Sequence, residues 1–206
     1  MKISELIYRI KSLFPEKDSS QSGKIYDNRL IYNKLTSVRN RLITQQYTNH
    51  SFVGQWSYQS FLIELELVDN PFDDSSYKKK MLRSVNKIPK ILSTIDKHLI
   101  QSCTNVDGTI RFFITSWKNM NYIKSNKYLK DKIHYLIFND YLYIINSSIL
   151  QKVLLTAVFV DPISIYTSST DYMEEEFPID DGNIDSLISL TLQELIPNLK
   201  NDKGND

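Results

Sequence analysis

Hydrophobic periodicity changes twice along this chain, and that change limits the folds open to it more than any other feature. Near the start, Ile3, Leu6, Ile7, Ile10 and Leu13 recur at the spacing that lines one face of a helix, and Pro15 ends the run. The same period covers 27–46, with Leu30, Ile31, Leu35, Val38 and Leu42 on one face and Arg29, Lys34, Arg39 and Arg41 on the other. Asp27 is the expected N-cap, because its short carboxylate satisfies amides of the first turn. From residue 61 the period falls to two. Phe61, Ile63, Leu65 and Leu67 alternate with Leu62, Glu64 and Glu66, the pattern of a half-buried strand. The helical period then returns in Ile184, Leu187, Ile188, Leu192 and Leu195, with Asp181 or Asn183 as cap and Pro197 as the stop.

Turn chemistry fills in the middle. Asp107-Gly108 separates two strand-like runs, 99–106 and 109–115, and predicts a hairpin because such a turn needs positive φ. Asn139-Asp140 predicts a second hairpin between 133–138 and 141–145. A strand over 152–160 ends at Asp161-Pro162, a short helix is expected over 117–128, and Pro89 makes 88–92 an edge strand or loop. The expected fold class is α+β: N-terminal helices and a C-terminal helix around a central antiparallel β-hairpin sheet. A chain of 206 residues suits a single domain. We expect it over 1–199, helical in 1–46, mainly β in 60–162, with the C-terminal helix at 183–196 and a flexible tail at 200–206.

Scarce residues exclude much chemistry. The glycines at 23, 54, 108, 182 and 204 lie far apart. Dinucleotide fingerprints, phosphate-binding loops and nucleophile elbows need two or three within about eight positions. One cysteine, Cys103, rules out an intrachain disulfide and paired-cysteine zinc sites, and reads as a buried thiol with no base near it in sequence. His50, His98 and His134 are too scattered for a helical metal pair and read as structural or exposed. The start resembles no signal peptide, and the apolar run 153–160 is too short to cross a bilayer, so no membrane partner is expected. A net charge of +1 provides no global attraction to nucleic acid. Neither a cofactor nor a metal is implied, and no catalytic residue can be named.

Three local features remain as candidate sites. Lys78, Lys79 and Lys80 with Arg83 form a basic cluster that could meet phosphate or a protein partner; a solvated segment is the plainer reading. Tyr47, Phe52, Trp56 and Tyr58 are candidate interface aromatics, the alternative being that Trp56 and Tyr58 seal the base of their own subunit. The acidic run Asp171, Glu174, Glu175, Glu176, Asp180 and Asp181 could hold a hard cation or supply acid–base carboxylates, but reads first as a solvated loop. The polar face of the second helix, with Lys34, Arg39 and Arg41, could touch phosphate or pair with acids of a neighbour.

Several stretches are familiar as a set: LIYNKLTSVRNRLI at 30–43, RSVNKIPKIL at 83–92, NVDGTIRFF at 105–113, YLYIINSSILQKVLLTAVFVDP at 141–162, FPIDDGNIDSLISLTLQELI at 177–196 and the closing KNDKGND. In this order they resemble a structural protein of crAss-like bacteriophages, similar to a head-to-tail connector: a ring protein of the short tail stacked below the portal. The resemblance implies a non-enzymatic virion component, a homo-oligomeric and dodecameric ring assembled in the host cytoplasm. Its implied partners are the portal protein, adjacent tail ring proteins and, transiently and non-specifically, genomic DNA in the lumen. From other classes, the alternatives are a small hydrolase using the acidic loop and a single-stranded nucleic-acid-binding module using the aromatics and lysines.

Overall fold

The computed structural model describes residues 1–13, 27–49, 53–71, 80–94, 97–166 and 172–202. The chain divides into two compact units. One comprises Met1–Tyr58, Leu92–Lys97 and Val160–Asp206; the other comprises Gln59–Ile91 and His98–Phe159.

The first unit is helical. Helix α1 spans Ile3–Ser12 and buries Ile3, Leu6, Ile7 and Ile10, four of the five residues its period selects; Leu13, at the C-cap, is exposed. Glu5 in its first turn accepts the Lys2 N–H at 3.0 Å, and Arg9 and Lys11 lie in the last turn, a charge order that suits the helix dipole. Helix α2 spans Asn28–Thr48, capped by Asp27, whose carboxylate accepts the Arg29 N–H. Its buried face is Ile31, Tyr32, Leu35, Val38, Arg39 and Ile43, while Leu30 is exposed. The buried side chains of α1 and Ile31, Tyr32, Leu35 and Val38 of α2 make one core with Phe177, Ile179, Leu187, Ile188 and Leu195.

The C-terminal helix of this unit runs Ile184–Asp202, through Pro197 instead of stopping there. A proline within a helix removes its own amide donor and crowds the carbonyl four residues back, here that of Gln193, an exposed residue whose carbonyl water can serve. The expected tail at 200–206 therefore begins inside this helix, and 203–206 lie outside the described residues.

The second unit holds a seven-stranded sheet of order β3-β7-β1-β2-β6-β5-β4. The strands are β1 Gln59–Asp69, β2 Lys80–Ser84, β3 Ile100–Asn105, β4 Phe113–Ile114, β5 His134–Phe138, β6 Tyr141–Ile145 and β7 Lys152–Ala157. A short helix α3, Met120–Ser125, follows a 3-10 turn at Trp117–Asn119; counted in chain order, the C-terminal helix is α4.

The expectation of a sheet of antiparallel hairpins needs correcting. The hairpin β5–β6 forms as predicted, with Asn139 and Asp140 at φ +52° and +66°. Gly108, at φ +71°, turns the chain after β3, but the returning strand does not stay with β3. Only 110–112 lie against it: Asn105 N–H donates to the Ile110 carbonyl at 3.2 Å, and Phe112 N–H to Cys103 at 2.8 Å. At Phe113 the chain transfers to β5, where β4 pairs parallel. Residues 110–114 thus run from β3 across to β5, so that the sheet nearly closes on itself.

Strand β1 shows a second departure. Residues Gln59 to Glu64 pair with β7, and Leu65 to Asp69 pair with β2. At that handover the inward phase shifts. Ile63 is buried as the alternation predicts, but Leu67 is half exposed and Val68 packs towards Met81 and Tyr143 instead.

Candidate interface surfaces

Of the candidate basic cluster, the structure describes Lys80 and Arg83. Lys78 and Lys79 lie outside the described residues, and Lys80, exposed, opens β2. Lys80 borders a cleft of about 320 Å³ lined also by Asn70, Met81, Met120, Ile144 and Asn146. Arg83 faces Glu66 across the β1–β2 pair and donates to its carboxylate, while its guanidinium lies 4.8 Å from the centre of the Tyr141 ring. That side chain is engaged with its own sheet.

The aromatic candidates separate. Phe52 and His50 lie outside the described residues. Tyr47 and Tyr58 are half buried, and burial, then Tyr47 and Asp180, push the Tyr58 phenol above its ordinary pKa. Trp56 is 71% exposed on a 3-10 turn, Gln55–Ser57. So Tyr58 belongs partly to its own unit and Trp56 to the surface.

What holds that turn is a residue assigned above to a polar face. Arg39 is completely buried. Its Nε donates to the Pro178 carbonyl at 2.7 Å, one Nη to the Ser57 carbonyl at 3.1 Å and the other to Asn40 Oδ1 at 3.0 Å, with the Phe177 ring beneath it at 5.9 Å. Burial lowers its pKa to about 10, so it stays charged at neutral pH. The buried charge is tolerated because fixed dipoles replace water. The period carried the signal: Arg39 follows Leu35 by one turn and Val38 by one residue, on the apolar side, and only its charge argued otherwise. Two other cations of α2, Arg41 and Lys34, are met within the unit, pairing with Glu194 of α4 at 2.8 and 3.7 Å.

The acidic run is similarly woven into this unit. Ile3 N–H donates to Glu175, and Phe177 N–H to Met1, so the N-terminal residues and 175–177 lie strand-like together. Lys2 binds Glu174 at 2.8 Å and holds its carboxyl below the usual range. Arg9 binds Asp185 at 3.0 Å. Glu176 and Asp181 are exposed. Among the described residues, no group of three His, Cys, Asp or Glu side chains could hold a metal ion. Cys103 is buried and its thiol is pushed up to about 12, which suppresses the thiolate. His134 is buried, within reach of the Leu129 carbonyl, and His98 is exposed. No described helix is long and apolar enough to cross a membrane.

One surface was missed in the sequence. Between 111 and 132 stand Arg111, Lys118, Lys124, Lys127, Lys130 and Lys132 against Asp131 alone. Interleaved with them are Phe113, Ile114, Trp117, Tyr122 and Tyr128, all exposed, the last at 72%. Lys132 lies over Phe113 at 5.0 Å, Lys127 over Tyr128 at 4.8 Å and Lys118 near Trp117 at 5.9 Å. Asn126 donates to the Tyr122 hydroxyl at 2.9 Å and accepts the backbone N–H of Tyr128. Among the described residues, Lys118, Lys127, Lys130 and Lys132 make no ion pair. No run of adjacent lysines marks the stretch, so a search for charge runs passes over it; a twenty-residue charge window finds it.

A family model described as phage tail ring protein 2 matches residues 5–206, from the first helix to the end of the chain. No curated protein gives a significant match.

Proposed function

The chain belongs to the phage tail ring protein 2 family, and from that premise we propose that it is the subunit of a homo-oligomeric connector ring at the head–tail junction. Family membership makes it a bacteriophage structural protein with a place in the virion tail. The finer reading is a dodecamer assembled in the host cytoplasm. It sits below the portal, seals the portal exit, forms part of the DNA channel and docks the next tail ring. Its work is done by shape and contact, with no catalytic step.

The observation that carries this reading is the length of the family match. It takes in both compact units, so the ring role belongs to the whole chain and not to a grafted segment. The charge balance is consistent with it: a chain of net charge +1 has no strong overall attraction for the phosphates of a moving genome. Trp56, large and exposed on an anchored turn, is suited to a contact with a neighbouring protein. Lys80 is the described member of the basic cluster left for the lumen or a partner.

Electron microscopy of the protein mixed with its portal tests the proposal. Closed rings stacked coaxially on the portal are expected. Protein that never joins the portal and is missing from purified virions would overturn the connector reading.

A further inference from the structure

A ring closed by one kind of contact needs two different patches on each subunit, one meeting the other head to tail. The lysine–aromatic rim at 111–132 has the composition of such a patch. Its rings bury much area with few rotamers to freeze, and its lysines lie over those rings without carboxylate partners among the described residues. The helical unit carries the opposite charge. From 171 to 199 the sequence contains Asp171, Glu174, Glu175, Glu176, Asp180, Asp181, Asp185 and Glu194, and no lysine or arginine. Of these, Glu176 and Asp181 are exposed without an ion pair among the described residues, while Glu174 and Asp185 are shared with Lys2 and Arg9 at the surface.

The geometry points to one occupant for the rim: the acidic segment 174–185 of a second copy of this chain, forming the head-to-tail contact of the ring. The inference deepens the ring reading and rests on it. Duplex DNA fits the rim less well. Its phosphates would satisfy the lysines, but its stacked bases leave Phe113, Ile114, Trp117 and Tyr128 facing water or sugar edges. A protein partner covers the rings and the charges together. Opposite charge also fixes which patch meets which, since rim against rim and acid against acid both repel.

Charge reversal in two separate chains tests this. In the first, Lys127→Glu, Lys130→Glu and Lys132→Glu make the rim acidic. In the second, Glu176→Lys and Asp181→Lys reverse the two exposed carboxylates of the acidic segment that make no ion pair among the described residues. Each variant alone should self-associate about tenfold or more weakly than the parent by sedimentation and native mass spectrometry. An equimolar mixture should recover rings in which the two alternate, because each reversed patch then meets its opposite. Carbodiimide cross-linking of unaltered rings needs no variant. It should join Lys127, Lys130 or Lys132 of one isotope-labelled copy to Glu176 or Asp181 of an unlabelled one. Rings that form normally from either variant, or that lack these cross-links, overturn the inference while leaving the ring reading standing. Loss of duplex binding without loss of assembly on rim reversal would also overturn it, making the rim a nucleic-acid surface. A parent chain that makes no ring even on its portal fails the ring reading itself.

Discussion

The helical unit and the rim of the sheet unit treat positive charge in opposite ways. In the first, Lys2, Arg9, Lys34 and Arg41 each meet a carboxylate of the same unit, and Arg39 is buried among carbonyls. On the rim, Lys118, Lys127 and Lys132 lie by the faces of their own aromatic neighbours and make no ion pair among the described residues. A charge satisfied inside its own unit contributes to that unit's folding. A charge held over an exposed ring contributes little to folding and leaves its donors for something outside. The same residue type therefore reports stability in one place and recognition in the other.

The comparison breaks most visibly at Arg39. Arg39→Ala leaves the Pro178 and Ser57 carbonyls without their donor and opens a hole in the core, and should cost about 3–5 kcal/mol in urea unfolding. Tyr32→Phe is a smaller change in the same unit. It removes the 2.7 Å hydrogen bond to Asp161 and should cost about 1 kcal/mol, read as a lower thermal midpoint. At the rim, Lys127→Gln with Lys130→Gln should move folding stability by less than about 0.5 kcal/mol. A rim effect as large as that of Arg39 would erase the distinction.

The smallest effect sharpens the surface end of the comparison. The hydrogen bond and charge of Lys2 depress the Glu174 carboxyl below its ordinary 4.5. The bridge thus adds stability above the ordinary carboxylate range and loses it as pH falls through the depressed value. Lys2→Met should return the Glu174 titration, followed by NMR, upward towards 4.5.

Local chemistry was legible in the sequence where one element decides the outcome. The Asp27 cap, the α1 stripe and the Asn139-Asp140 turn all depend on neighbours within a few residues, and all are found except for the last member of the stripe, Leu13, which is exposed. The departures come from long range. Nothing near Phe113 announces that its strand will leave β3 for a parallel place beside β5, because that choice is set by a partner twenty residues away in sequence. The inward turn of Val68 follows from a change of partner at Leu65, which alternation alone cannot register. Arg39 was readable in position but not in partners, since the carbonyls that receive it come from 57 and 178. The rim was readable as composition; its exposure came only with the fold.

The nearly closed sheet has a consequence for crowding. An open sheet stored at high local concentration invites a neighbour's strand to add to its edge, a bond that spreads without limit and is undone only by unfolding. Here residues 110–114 occupy the positions where such an addition would begin. Along that stretch copies gathered into one assembly are steered from strand addition towards contacts between side chains, which have a definite end and which salt can loosen.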